Sequence, residues 1–506
     1  MKAPLMFPDR PFDPAREPPA HEPVLRQDLA LDVLWNAMAD DDAYLFEIAR
    51  KAMLGSLEGD VATVSYRQEV LRDSLDHPDT IRALYDLAVQ AIEGKRKSHW
   101  SFFGNHPSST LHGAVDVMGL FVAVLKKLRE IADAQAGVFR SRGLVALFAM
   151  LRAEFGDDYL ARVEACLAEL KFRGGLLLSA DLGAGNAGTH YMLRRPDDKS
   201  PGLLQRMLGK GPPGYTFRIP DRDIAGAQAL GEIRSRGINF VANAMAQSMD
   251  HILGFFETLR AELAFYIGAI NLHAKLRAIG APTAWPEPSP AGSGMRYGDG
   301  LYDPCLALGM GRPAVGNALA ADRKPLLVVT GANQGGKSSF LRSLGLAQLM
   351  MQSGLFVTGG SFAAETCHGL FTHYKREEDK GMTSGKLDEE LGRLSVIVDA
   401  ITPGALLLLN ESFASTNELE GSEIARQIIA ALRERNIRVC FVTHLYTFAH
   451  GLFAEGRADT LFLRAERGTD GARTFRLLEE APLETSFGAD LYRDVFGGGD
   501  TASAAG

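Results

Sequence analysis

Cysteine is scarce in this sequence. The 506 residues include four, Cys166, Cys305, Cys367 and Cys440, far apart and without any CxxC or Cys/His spacing. That pattern excludes a disulfide framework and fits a reducing compartment without structural metal, the thiols being buried or incidental. Long apolar runs are also missing. No window reaches the roughly 18 apolar residues that a membrane span requires, and the longest candidates, Leu326 to Val329 and Ala405 to Leu409, have the length of buried strands. The N-terminal stretch MKAPLMFPDRPFDPAREPPAHEP is too rich in proline and charge to supply the apolar core of a signal peptide. A cytoplasmic protein without a membrane partner is the expectation. Positive charge is not in excess either. The formal charge is -8 and the pI near 5.9, so contact with nucleic acid would have to rest on a local basic surface.

What is present suffices for a large core: 46% of the residues are hydrophobic, and the length fits two or three domains. Residues 1–28 read as a disordered tail, because the prolines between Pro8 and Pro23 deny it regular hydrogen bonding. From there to Leu170 apolar residues recur every three or four positions, the helical period, with WSFFGNHPSS (100–109) as a loop between helices. Residues 171–223 change character. LLLSADLG and THYMLRR flank GAGNAG as a hairpin, and the segment carries nine lysines and arginines against five aspartates. Helical periodicity resumes over 224–279, as one extended helix or two stacked ones, and the proline- and glycine-bearing stretch 280–300 reads as a domain boundary. After residue 301, short apolar runs alternate with helical patterns, as in a parallel sheet covered on both faces. PLLVVT (325–330), ALLLLN (405–410) and RVCFVT (438–443) are the expected central strands, with TLFLRAE and RTFRLLE as a closing hairpin at the edge.

The chemistry concentrates in TGANQGGKSSFLRSLGLAQLMM. Gly331, four residues, then Gly336, Lys337 and Ser338 satisfy GxxxxGK[ST], with an apolar strand entering and an amphipathic helix leaving. Glycines let the backbone approach phosphates closely, and amide protons at a helix start supply positive potential. Lys337 is expected on the β and γ phosphates and the Ser338 hydroxyl on Mg2+, so the cofactors read from this loop are ATP and Mg2+. Asn410 and Glu411 end a four-leucine run where such proteins usually carry Asp-Glu. Asn410 can hydrogen-bond a metal-bound water but brings no charge, so weaker magnesium binding or slow hydrolysis is expected, while Glu411 keeps the carboxylate that orients water. His444 follows the strand RVCFV at the sheet edge and is placed as a γ-phosphate sensor.

Together TGANQGGKSS, TSGKLDEELGRL, LLLLNESFASTNELEG and FVTHLY resemble the ATPase domain of the MutS mismatch-repair family, a branch of the ABC-type ATPases. Asn333, Gly335, Gly336, Lys337 and Ser338 match the family's loop TGPNMGGKST; Glu411, Thr416 and Gly421 match DEIGRGTSTYDG, with Phe413-Ala414 in place of a glycine-arginine pair; Ser384 and Glu389 align with the signature motif. The resemblance implies an α/β P-loop NTPase domain of the ABC type over 301–496, a mostly α-helical core and lever domain over 29–300 with the β-rich basic insert 171–223, and a disordered tail over 497–506. It implies a nucleotide site made of Gly331, Asn333, Gly335, Gly336, Lys337, Ser338 and Ser339, completed in trans by Ser384 of a homodimer partner. Lys337, Glu411 and His444 would be the catalytic set and Ser338 and Asn410 the magnesium set. The insert stands where the family places its DNA clamp, so Arg194, Arg195 and Lys199 are the expected contacts to double-stranded or branched DNA. The stretch before residue 30 is expected to leave no room for the family's mismatch-reading domain, and Phe255-Phe256-Glu257, which resembles that domain's reading motif, fits core packing better. The function so implied is a DNA-binding ATPase in repair or recombination. The alternative is an ATP-binding switch or scaffold with little hydrolysis and no mismatch-repair role. A transport subunit is disfavoured by the polarity of the helical half, and a kinase by the absence of an acceptor-binding lid.

Overall fold

The computed structural model describes residues 2–58, 60–98, 107–135, 137–195, 215–376, 385–467 and 473–483. The helical period of the first third is realised as α1 (Glu22–Asp28), α2 (Leu31–Ala39), α3 (Ala43–Leu54), α4 (Val61–Asp76), α5 (Pro78–Ser98), α6 (Pro107–Ala134), α7 (Arg142–Glu154) and α8 (Asp157–Glu169). The hairpin β1 (Leu177–Leu182) and β2 (Gly188–Arg194) follows, and then α9 (Ile224–Ala278), a single helix of 55 residues. By contact density the chain divides into two units: Met1–Ala3, Arg82–Phe139 and Val145–Arg260 in one, Pro4–Ile81, Arg140–Leu144 and Ala261–Gly506 in the other.

The first unit is built around α6. Its residues Leu111, Val115, Met118, Phe121 and Leu125 are buried, and Phe121 packs on Phe256 of α9 with ring centroids 5.3 Å apart. This helix has the length and apolar composition of a membrane span, which overturns the expectation that no segment does. Half of its most apolar window is buried within the protein, so packing against α8 and α9 accounts for that apolarity. Phe255 and Phe256 are both buried, so the Phe-Phe-Glu triplet belongs to the core.

The second unit contains a six-stranded sheet of order β10-β11-β12-β7-β13-β14: β7 is Leu326–Thr330, β10 Leu370–Tyr374, β11 Leu406–Asn410, β12 Arg438–Val442, β13 Thr460–Arg467 and β14 Arg473–Glu479. The first five are parallel, and β14 pairs antiparallel at the edge as the sequence predicts. Strands buried on both faces need continuous apolar runs, which is what LLVV and LLLL provide. Val328, Leu407, Leu409 and Phe441 join a core with α12 (Lys386–Ala400), α13 (Glu418–Glu434) and α14 (Tyr446–Ala454). On α11 (Lys337–Gln352), Gly345 lies so near Leu408 that an added Cβ would stand 2.6 Å from it. A second sheet, order β4-β9-β5-β6, is formed by Glu287–Ser289, Ser361–Glu365, Arg296–Leu301 and Asn317–Ala320, and β3 (Thr283–Ala284) pairs with β8 (Val357–Thr358); the short helix α10 (Pro304–Met310) precedes β6. Residues 280–300, expected as a boundary, supply β3, β4 and most of β5 to the second unit.

The N-terminal segment corrects the sequence reading most sharply. Leu5 and Met6 are fully buried, and their amides donate to Glu262 Oε2 at 3.0 and 2.6 Å, while the Phe12 amide donates to Oε1 at 2.5 Å. The Met6 carbonyl accepts from Arg67 Nε at 2.8 Å and the Leu5 carbonyl from Tyr266 at 2.6 Å. Prolines remove regular secondary structure without preventing a chain from packing, and here distant side chains satisfy the backbone that local structure leaves unpaired. Burial pushes the Glu262 carboxyl up to about 7, against the opposing pull of the three amides and Arg67.

Candidate functional site

Register brings the site together. Val329 pairs with Val442, and Val442 with Asn410, so β7, β12 and β11 end at one level and their following residues share one edge of the sheet. The strand carrying Asn410 is not the neighbour of the P-loop strand; β12 lies between them. A cavity of about 540 Å³ opens there, lined by Gln334, Gly336, Lys337, Ser338, Ser339 and Glu411 from the predicted motifs. Tyr302, Arg312, Pro313, Asn317 and Phe475 complete it, and nothing in local sequence pattern singles these out because they come from the end of β5, the α10–β6 connection, β6 and β14.

The loop between β7 and α11 uses left-handed backbone at Gly331 (φ 110°), Gln334 (φ 60°) and Gly336 (φ 91°). Two of the three are glycine, as such angles favour. Glycine also serves close packing: a Cβ on Gly331 would lie 2.8 Å from the Ala465 amide nitrogen, and one on Gly335 2.8 Å from the Ala465 Cβ. Lys337 Nζ donates to the carbonyls of Gly331 and Ala332 at 2.9 and 2.8 Å, folding the side chain back over the loop. Burial lowers its ammonium to about 8, with Glu411 acting in the opposite sense. The Ser338 hydroxyl donates to Asn410 Oδ1 at 3.0 Å, so two neutral oxygens stand at the start of α11. They suit a magnesium ion that keeps most of its water and takes few protein ligands.

Glu411 accepts from His444 Nε2 at 3.0 Å, and this bond, ahead of burial, sets its carboxyl below the ordinary glutamate range. The sequence-predicted residues Lys337, Ser338, Asn410, Glu411 and His444 are thus joined by direct contacts or line one cavity. Gly331, Asn333, Gly335 and Ser339 belong to the same loop and helix start. Ser384 and Lys199 lie outside the described residues. In the first unit, Arg194 Nε donates to Ser179 Oγ at 2.8 Å, and Arg195 pairs with Glu169 at 2.5 Å, so part of the basic charge of the insert is already compensated.

Two residues escaped the sequence reading. His373 on β10 faces the Ser412 hydroxyl at 2.7 Å, and Glu390 on α12 accepts from the Phe413 amide at 2.6 Å. They are separated in sequence from the motif they touch, so only the fold could reveal them. A larger cavity, about 620 Å³, opens at the opposite edge of the sheet around Gly404, Arg438 and Arg457. There Arg433 and Arg457 pair with Asp459, and Arg438 with Glu365, so it presents little net charge to a phosphate.

A loop of this geometry between a buried parallel strand and a helix, with a glutamate and a histidine at the same sheet edge, defines a P-loop ATPase domain. Comparison with known proteins agrees. The chain matches the MutS2 N-terminal domain over residues 59–279 and MutS domain V over residues 327–494. It is 33% identical to endonuclease MutS2 of Thermus thermophilus over 145 residues, 28% of this chain and 19% of that protein. It is 30% identical to DNA mismatch repair protein MutS of Porphyromonas gingivalis over 181 residues, 35% of this chain and 20% of the relative. With MutS of Thermus aquaticus the identity is 29% over 167 residues, 33% of this chain and 20% of the relative. The chain belongs to the MutS family. The similar stretch spans about a fifth of the length of these curated relatives.

Proposed function

We propose that this protein is an ATPase that couples ATP binding and hydrolysis to a change in its hold on DNA, in repair or recombination. The observation that carries the reading is one connected set at the sheet edge: Lys337, Ser338 and Glu411 line a single cavity, Ser338 bonds to Asn410 and Glu411 to His444. The amides of the loop from Gly331 to Ser339 would cradle the phosphates, and the Lys337 ammonium would leave the Gly331 and Ala332 carbonyls for the β and γ phosphates. Ser338 directly and Asn410 through water would hold Mg2+, which when bound neutralises charge on the phosphate oxygens. The Glu411 carboxylate, kept ionised by His444, orients a water and accepts its proton as that oxygen bonds to the γ phosphorus and the bridging P–O bond breaks. His444 steadies Glu411 and reports the γ phosphate. In a homodimer Ser384 of each subunit would complete the site of the other, and the lever helix α9 and the β1–β2 insert would carry the change to double-stranded or branched DNA.

A second reading, an ATP-dependent switch or scaffold with little hydrolysis, is favoured by Asn410, which puts no charge beside the metal. Turnover of the purified protein, alone and with homoduplex, mismatched or branched DNA, separates the two. DNA-stimulated hydrolysis is the expected result; tight ATP binding with no turnover under any of these conditions would establish the second reading.

A further inference from the structure

Glu411 sits in an unusual turn. Its φ is 55° and that of Phe413 is 68°, both in the left-handed region that side-chain-bearing residues avoid, and only Ser412 lies between them. Such a turn persists only when its surroundings hold it, and every residue in it is held. The Glu411 amide donates to the Val442 carbonyl at 2.8 Å. The Ser412 hydroxyl lies 2.7 Å from His373 Nδ1 and 3.0 Å from the His373 carbonyl, and His373 Nε2 lies 3.2 Å from the Glu390 carbonyl; burial lowers that imidazole to about 4. The Phe413 ring is fully buried against His373 and Phe441, and its amide donates to Glu390 Oε1 at 2.6 Å.

Glu390 is the member of this set that packing alone does not explain. It is 2% exposed, and its second oxygen, Oε2, is buried without a hydrogen-bond partner among the described residues. A buried carboxylate with one oxygen unsatisfied is a poor stabiliser compared with an apolar side chain of similar volume. What it does accomplish is to fix a backbone amide two residues beyond Glu411 from a different element, the helix α12. Resting on the ATPase reading above, we infer that Glu390 is a positioning residue for hydrolysis: it locks the 411–413 turn so that the Glu411 carboxylate stays on His444 and at the cavity. Because the lock is anchored on α12 and not on the sheet, a shift of α12 relative to β11 would move Glu411 and change turnover without touching the P-loop.

The test compares E390A and E390Q with the wild-type chain. ATP affinity is measured by calorimetry, turnover at saturating ATP, and hydrogen exchange over residues 411–416 by mass spectrometry. E390A is expected to lower kcat by on the order of tenfold to a hundredfold, the scale of a small misplacement of a catalytic group, while ATP affinity stays within about twofold and the 411–416 amides exchange faster. E390Q retains an oxygen that can accept from the Phe413 amide and is expected to regain most of that loss. Wild-type turnover in E390A overturns the inference, as does a loss in E390Q as deep as in E390A, or a parallel fall in ATP affinity and turnover. Should E390A fail to fold, S412A, which removes the hydroxyl bonded to His373, is expected to show the same split, and wild-type kcat in it would overturn the inference. A wild-type protein that binds ATP without turning it over ends the positioning role and leaves the nucleotide site standing. One that binds no ATP ends both.

Discussion

The sheet edge of the second unit and the β1–β2 hairpin of the first are built to different rules. At the sheet edge Lys337, Ser338, Glu411 and His444 each have a protein partner within 3.0 Å, and they stand at the start of α11 or just past short, buried strands in matched register. In the hairpin and the segment that follows it, Leu182 is 78% exposed, Tyr215 84% and Phe217 88%, and Arg194 and Arg195 bond to exposed neighbours. The first region is pre-organised around its own main chain, as a site for a compact polyanion must be. The second is a surface whose charge is partly spent on its own acidic side chains, so any grip on a long polyanion would come from few contacts and depend strongly on salt.

Four experiments press on this contrast. The largest effect is expected from K337A, which removes the one ammonium lining the cavity among the described residues: ATP binding measured by calorimetry should fall by about 100-fold or more. Retained binding would mean that the loop is not a phosphate site. Next is pH. Burial has lowered Lys337 to about 8, so below that value the ammonium is already present and affinity should be flat. Above it a proton must be taken up for the phosphates to meet a charge, and ATP affinity should weaken by on the order of tenfold per pH unit. A flat profile through pH 9.5 would break the assigned role. A smaller change is expected from N410D, which places a carboxylate beside Ser338: the Mg2+ concentration for half-maximal ATP binding or turnover should fall by about threefold to tenfold. If neither parameter moves, another acidic group already serves the ion. The smallest effect belongs to the hairpin. R194A/R195A should reduce the slope of log affinity for duplex DNA against log salt by about one, not two, because Arg195 is already paired with Glu169. An unchanged slope would remove the hairpin from the DNA surface while leaving the sheet edge untouched.

The two regions also differed in how far they could be read from residues alone. The P-loop, its strand and its helix were legible because a phosphate cradle needs glycines, a lysine and a hydroxyl at fixed local spacing, and LLVV before it can hardly be anything but a buried strand. Asn410, Glu411 and His444 were legible for the same reason, each at the end of an apolar run. That β12 separates β11 from β7 was not, since strand order is a property of the whole sheet. The N-terminal segment misled because its prolines describe only what the local backbone cannot do. Glu262, some 250 residues away, supplies the acceptor that orders it. Residues 280–300 show the same limit, since their glycines and prolines do not reveal that the stretch also supplies strands β3, β4 and β5.

By itself, then, the order of amino acids determined the P-loop motif, the family and the parallel strands, because these rest on short-range spacing and on apolar period. The tertiary structure alone decided the rest. It set which strand lies between the P-loop and Glu411, what walls the cavity from the second sheet, and how His373 and Glu390 brace the turn that carries the glutamate. Those are contacts between residues far apart in the chain, and their energies exist only once the whole sheet has formed.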